Sequence, residues 1–169
     1  MLSVVGLRTA AVSISLLLLG MGCQGPTGPP FAPAAAPAGD RGLVYVYRAG
    51  DLSPHGRARV RVGALQGSLG PGESLWIDLP AGRHQLRFLW TQLIAVSAGW
   101  TSFELDVQPG VTHAVRVQTT AREVEAAGSV REARAQNRTL SVRAQRVPLE
   151  QALRELADTR QSPDPPSIR

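Results

Sequence analysis

The sequence predicts a mostly β fold, a small antiparallel β-sandwich with a C-terminal helix. Apolar side chains recur at every second position through Val60–Phe88, where glycine- and proline-containing turns separate consecutive stretches. A period of two places side chains on one face of a pleated strand. Several short strands with turn signals between them favour a sandwich or an open barrel. Charged residues fill the alternate positions, as expected when the other face meets water: Arg59, Arg61, Asp78 and Arg87.

The part of the chain before residue 42 is predicted to lie outside this domain. Arg8 precedes an apolar run, Ala10–Leu19, which is too short to span a bilayer and suits the hydrophobic region of an export signal. We therefore assign residues 1–22 to a signal peptide. Residues 23–41 are rich in proline, alanine and glycine and cannot bury enough apolar surface to offset the entropy of ordering. This stretch is predicted to be a semi-extended tether.

Cys23 is the one cysteine of the chain, so a disulfide within the chain is impossible. The small residues directly before it, in Gly20-Met21-Gly22-Cys23, resemble the lipobox of bacterial lipoproteins, where the thiol takes a diacylglycerol. The resemblance implies a lipoprotein signal peptide, lipidation at Cys23 and a membrane anchor. Because Gln24 follows instead of aspartate, it also implies the outer membrane, on the inner leaflet facing the periplasm. An ordinary cleaved signal with a chance cysteine is the alternative.

Residues 42–147 are predicted to form the β-sandwich domain. The first strand, Leu43–Arg48, is rich in β-branched and aromatic residues on both faces, as in a central strand. Arg57–Val62 alternates most regularly, with arginine outward. In the turn after Pro80, Gly82 is expected to take a positive φ. The other predicted strands are a short one within residues 63–72, followed by Leu75–Leu79, His84–Trp90, Phe103–Val107 and Val111–Val117.

The signals weaken beyond Thr119. Residues 121–136 are rich in alanine, arginine and glutamate, which indicates a helix, and Thr139–Ala144 alternates like another strand. A proline suits the first position of a helix, so we predict an amphipathic helix over residues 148–161 that covers part of the sheet. Its apolar stripe consists of Leu149, Ala152, Leu153 and Leu156. Residues 162–169 are predicted to be a disordered tail.

Three short motifs resemble a family of small bacterial lipoprotein domains of unknown function, itself similar to the PEGA repeat of surface proteins. They are LVYVYR from Leu43, LPAGRHQL from Leu79 and VQPGVTHAVRV from Val107. The resemblance implies a compact sandwich in the cell envelope and carries over no catalytic residues. The stretch LSVRAQRVPLEQALRELA also resembles the strand and helix that open a secretin or TonB-receptor signalling domain.

The sequence contains no recognisable set of catalytic residues. The histidines at positions 55, 84 and 113 lack zinc-like spacing and a cysteine partner, so neither a metal nor another cofactor is expected. His84 and His113 share the inward register of their strands, and the simplest interpretation places each at the edge of the core with a hydrogen bond. Neither a nucleophile elbow nor a phosphate-binding glycine loop occurs. The sequence therefore indicates a protein that is not an enzyme.

The charge pattern argues against nucleic acid as a partner. All 18 basic residues are arginine and the net charge is +5, but the arginines are spread along the chain without a clustered footprint. Trp76 is predicted outward and is a candidate contact for sugar or protein. Outward register predicts a cationic surface for anionic lipid or another acidic envelope polymer: Arg57, Arg59, Arg61, Arg87 and Arg116. The alternative is a solvated face that keeps the domain soluble.

Three classes of function remain. The leading one is a noncatalytic, lipid-anchored envelope protein whose sandwich binds another envelope component, with an envelope protein, an anionic lipid or a polysaccharide as partner. The second is an accessory or structural subunit of an envelope assembly, as the secretin-like stretch implies. The third, an enzyme, has no set of residues to carry it.

Overall fold

The computed structural model of the chain describes residue 26 and residues 28–49, 56–91, 99–123 and 138–168. The strands are β1 (Arg41–Tyr47), β2 (Arg57–Val62), β3 (Leu65–Leu69), β4 (Glu73–Pro80), β5 (Gly82–Thr91), β6 (Thr101–Val107), β7 (Thr112–Glu123), β8 (Arg138–Arg146), β9 (Arg160–Gln161) and β10 (Ser167–Ile168), and helix α1 spans Leu149–Leu156. The first sheet has the order β8-β7-β1-β4-β9 and the second the order β10-β3-β2-β5-β6. This architecture confirms the predicted small β-sandwich with a C-terminal helix.

The main core lies between the two sheets. Alternate residues of β1 and β4 face it from the first sheet, including Val44 and Ile77, and alternate residues of β2 and β5 face it from the second, including Val60 and Phe88. These side chains are at most 3% exposed. The alternation that predicts the strands therefore also identifies the buried face of each one.

The strands of the first sheet are not all antiparallel to their neighbours. β1 pairs with β4 in antiparallel fashion but with β7 in parallel, and the short β9 is parallel to β4. The chain also passes repeatedly from one sheet to the other; β4, for example, lies in the first sheet, whereas β3 and β5 lie in the second. The turn from β4 to β5 contains Gly82 with φ of 130°, the positive value expected for it.

Helix α1 covers the outer face of the first sheet. Ala152 and Leu156 are buried there against Tyr45 and Tyr47, in a second apolar cluster. The helix is shorter than predicted, because the backbone N–H and the hydroxyl of Thr159 both donate to the Leu156 carbonyl, each at 2.8 Å, and the chain then continues as β9. The other two stripe residues remain largely open to solvent, with exposures of 37% and 38%: Leu149 and Leu153.

The described part of the predicted tether packs on the domain. The ring of Phe31 meets that of Tyr45 edge to face, with 5.4 Å between centroids, and the Ala34 N–H donates to the Tyr45 hydroxyl at 2.9 Å. Arg160 donates to the Gly28 carbonyl at 3.1 Å. The prediction of a free tether is wrong for this stretch, because its few apolar side chains pack on the same cluster of the first sheet that helix α1 covers in part. Residues 1–25 lie outside the described residues.

The predicted disordered tail is also part of the fold as far as residue 168. The Ser162 N–H donates to the Ser74 carbonyl at 2.7 Å, and the Ser68 hydroxyl donates to Asp164 at 3.0 Å. β10 then pairs with the edge of β3. The polar residues of this segment find partners at the edges of both sheets, which composition alone does not reveal.

The predicted helix over residues 121–136 is wrong at its start, where β7 continues to Glu123 and pairs with β8. Residues 124–136 lie outside the described residues. Within the described part of the chain, no helix is long and apolar enough to cross a membrane.

Candidate functional site

Four of the five predicted contact arginines lie on the outer face of the second sheet, and three of these four have no carboxylate partner among the described residues. Arg59 and Arg61 project from β2 and are exposed, and Arg87 projects from β5 directly opposite Arg61. The inward positions between them hold Val60 and Phe88, so the two-residue period fixes which way each guanidinium points. We refer to Arg59, Arg61 and Arg87 as the arginine face.

The arginine face is not neutralised by its surroundings. Among the described residues, no carboxylate lies within ion-pair distance of its three guanidinium groups. Arg61 donates to the Gly63 carbonyl at 3.1 Å, and Arg87 lies over the ring of Trp100 with 5.1 Å to its centroid. Such a cation–π contact fixes the guanidinium without removing its charge. The face therefore presents cations and a partly exposed indole together.

A groove of about 400 Å³ adjoins the arginine face. Arg59 and Trp100 form part of its wall, with Gln66 and Thr91 beside them and Asp164 at another side. Its lining is therefore mainly polar and cationic. Trp100 is 38% exposed and contributes apolar surface to the groove, together with Val60 and Pro163.

Arg57 lies on the same face of the second sheet, but its guanidinium is held by a buried carboxylate. Its guanidinium donates to both carboxylate oxygens of Glu73, at 3.2 Å and 2.8 Å, and to the Ser68 hydroxyl at 3.0 Å. Glu73 is 3% exposed and also accepts the Gly70 N–H at 2.8 Å. A bidentate pair of this kind holds both partners. Arg57 is thus committed to an internal carboxylate.

Arg116 lies on the opposite side of the molecule, on the outer face of the first sheet. It donates to Glu155 of helix α1 at 3.0 Å. Glu155 also accepts the Tyr47 hydroxyl and the Gln151 amide, each at 2.8 Å. The prediction that Arg116 shares a surface with the β2 arginines is therefore wrong, because the outward direction of a strand says nothing about which sheet the strand belongs to.

The contacts around Glu155 shift the pKa values of Glu155 and Tyr47. Burial raises the pKa of Tyr47, and the neighbouring Glu155 carboxylate raises it further. For Glu155 the effect of burial, which raises the pKa, is outweighed by hydrogen bonds from Gln151, Tyr47 and Arg116, so its pKa falls below the ordinary value. The cluster therefore holds helix α1 on the sheet with Glu155 charged.

The two described histidines occupy different sites. His84 contacts the Pro80 carbonyl through Nε2 at 2.8 Å. His113 is buried, accepts the Gln108 N–H at 3.1 Å and has the Arg146 guanidinium 3.1 Å from Nδ1. Within the described residues, no group of three or more histidine, cysteine or acidic side chains is arranged to hold a metal ion. His55 lies outside the described residues.

His113 is expected to make stability depend on pH. Burial, followed by the charge of Arg146, lowers its pKa from 6.5, so the unfolded chain binds more protons below that value. The stabilising effect of neutral His113 is therefore complete above pH 6.5 and is lost as pH falls through the window below it. We expect His113→Gln to reduce the slope of the unfolding free energy against pH between pH 7 and 5. The reduction is at most about 1.4 kcal/mol per pH unit. Equal slopes for parent and variant in chemical denaturation would contradict this.

Two further residues of interest differ in how far the sequence identifies them. Trp76 is 46% exposed on the outer face of the first sheet, as its register predicts. The sequence gives little indication of a role for Trp100, whose one signal is that an aromatic residue directly precedes β6. Its stacking on Arg87 depends on a contact between neighbouring strands. Cys23, the predicted lipidation site, lies outside the described residues.

Comparisons of the chain with protein-family models, with curated proteins and with solved structures found no match. The interpretation of its function therefore depends on its own residues.

Proposed function

We propose that this protein is a noncatalytic component of the bacterial cell envelope, anchored through a lipid on Cys23, whose sandwich contacts an anionic envelope component with the arginine face. The supporting observation is that Arg59, Arg61 and Arg87 project together, without a carboxylate partner among the described residues, beside the exposed ring of Trp100.

Anionic lipid headgroups fit this surface best. Each arginine near an anionic membrane contributes on the order of 1 kcal/mol, and salt screens the attraction. Tryptophan prefers the boundary between headgroups and acyl chains because its ring is apolar and its N–H is polar. A lipid anchor would keep the domain near such a surface, so a weak individual attraction would be sufficient for contact.

The arginine face is expected to carry salt-dependent binding to anionic vesicles. We would compare the chain from Pro26 onward, which keeps every described residue, with its Arg59→Ser/Arg61→Ser variant. The variant should bind roughly tenfold or more weakly, because two contributions of about 1 kcal/mol are removed. Cosedimentation with vesicles containing phosphatidylglycerol or only phosphatidylcholine, over a salt series, measures this.

A matched control separates a specific face from net charge. Arg143→Ser/Arg154→Ser removes the same two charges from exposed positions on the first-sheet side of the molecule. This control should bind nearly as the parent does. The proposal is contradicted if the two double variants bind equally weakly, or if binding of the parent does not depend on lipid charge and salt. The arginine face would then be only a solvated surface.

The anchor is tested separately at Cys23. Cys23→Ser should move the protein from the membrane fraction to the soluble periplasm or leave it uncleaved, because stable anchoring needs two signals, such as the two acyl chains of a diacylglycerol. Cell fractionation together with the intact mass of the parent gives the answer. If the intact mass of the parent shows no lipid and the variant fractionates as the parent does, the prediction of a lipid anchor at Cys23 is wrong.

A further inference from the structure

One edge of the first sheet is only partly paired. β4 spans eight residues, but its outer neighbour β9 pairs only with Glu73 and Ser74. From Leu75 onward, the strands that the structure describes flank β4 on one side only, where β1 pairs with it. After Ser162 the chain leaves this edge and reaches β3 of the second sheet, where β10 pairs.

The free edge presents the backbone groups of Trp76. Ser74 accepts the Ser162 N–H at this edge, whereas Glu73 accepts the Arg48 N–H from the opposite side, that of β1. Because backbone groups alternate along a strand, those of Trp76 point the same way as those of Ser74, away from β1. Among the described residues, no group donates to or accepts from them. An edge strand of this kind is a template for another extended chain.

A groove of about 320 Å³ runs along the same edge. β4 contributes Leu75, Trp76 and Ile77, and the facing wall holds Leu65 and two prolines of the C-terminal segment, Pro165 and Pro166. Trp76, at 46% exposure, is the most exposed large apolar side chain of the described residues. The edge therefore offers main-chain hydrogen bonds and, beside them, space for apolar side chains.

At the far end of this groove lies Asp78. Its Oδ2 pairs with Arg41 at 2.9 Å, and its carbonyl accepts from Arg41 at 2.8 Å. Its Oδ1 is buried and has no hydrogen-bond partner in the described part of the chain. A carboxylate oxygen in that position favours a ligand that brings a hydrogen-bond donor.

We propose that the free edge of β4 takes an extended segment of a partner protein, which adds to the first sheet as a strand beyond the end of β9. The segment carries an apolar side chain beside Trp76 and a hydroxyl or basic side chain at the Asp78 end. The N–H and C=O of Trp76 can pair with another main chain, and the groove beside them gives specificity through side chains. A second copy of this chain fits less well, because its own β9 would occupy the same edge.

The test uses the full chain with Cys23→Ser in mild detergent and a phage-displayed library of random octapeptides. Selected peptides are synthesised, their Kd is measured by fluorescence anisotropy, and protected amides are located by hydrogen exchange. We expect peptides with an apolar centre that protect the Trp76 amide. Failure to select a peptide, or protection confined to other strands, would overturn the proposal.

Two variants at position 76 distinguish the contribution of the backbone N–H to peptide binding from that of the tryptophan ring. Trp76→Ala removes the ring and keeps the N–H, whereas Trp76→Pro removes both, and proline is tolerated at an edge whose N–H faces solvent. Thermal melting of both variants checks that they fold. We expect the proline variant to bind roughly fivefold to tenfold more weakly than the alanine variant, as the loss of one hydrogen bond predicts. Equal affinities of the two variants would contradict the proposal that a partner segment adds to β4 as a strand. Sedimentation that shows only self-association of the protein would contradict it as well.

Discussion

Ile77→Asp is expected to unfold the protein, whereas Asp78→Ile is expected to leave it folded. Ile77 is 3% exposed and packs in the core between the sheets. An aspartate there would bury a charge without a partner and remove apolar contacts, with a loss on the order of 4 kcal/mol or more. That is a large share of the stability of a small domain.

The neighbouring substitution is the matched control. Asp78 faces outward and pairs with Arg41, and the two side chains are 41% and 38% exposed. Such a pair contributes about 0–1 kcal/mol, so Asp78→Ile should cost little. Thermal melting followed by circular dichroism compares the two variants. Equal losses would show that the register of β4 is wrong, because a shift of one residue exchanges its two faces.

Glu73→Ala is expected to have the second largest effect. The carboxylate is buried and accepts from Gly70 and from two nitrogens of Arg57. Its removal leaves the buried Gly70 N–H without an acceptor and releases Arg57, which also donates to Ser162 at 3.3 Å. The expected loss is about 2–4 kcal/mol in the free energy of unfolding. The C-terminal segment should become more sensitive to proteolysis at the same time.

Two further substitutions grade this effect. Glu73→Gln keeps an acceptor without the charge and should lose less than the alanine variant. Glu150→Ala removes an ion pair with Arg154 in which the side chains are 87% and 71% exposed, so it should change the stability by less than about 0.5 kcal/mol. Urea denaturation of the three variants measures the series. A loss for Glu73→Ala no larger than that for Glu150→Ala would contradict the supporting role of Glu73.

The fold was largely predictable because its signal is local. Period-two alternation in Arg57–Val62 and in Leu75–Leu79 identifies both the strands and their buried faces. The same alternation cannot say which sheet a strand joins, because that depends on contacts between residues distant in the chain. For this reason Arg59 and Arg87 were correctly grouped, whereas Arg116 was grouped with them wrongly.

The candidate site was less predictable than the fold. Arg57 and Arg59 have the same register, and only the position of Glu73, brought in from the first sheet, distinguishes a committed arginine from an open one. The ordered ends of the domain were missed for a related reason. Phe31 and Ser162 belong to segments whose composition suggests disorder, and each is held by a few contacts to a finished sheet.

The most direct test of the proposed contact is to ask which face meets the membrane. Trp100 belongs to the second-sheet side, Trp76 to the first-sheet side, and Trp90 is 1% exposed, so quenching of tryptophan fluorescence by brominated lipids reports on orientation. With anionic brominated vesicles, the chain from Pro26 onward should be quenched, and Trp76→Phe should be quenched as strongly, whereas Trp100→Phe should lose most of the quenching. Quenching that persists in Trp100→Phe and disappears in Trp76→Phe would place the first sheet against the membrane and contradict the arginine face.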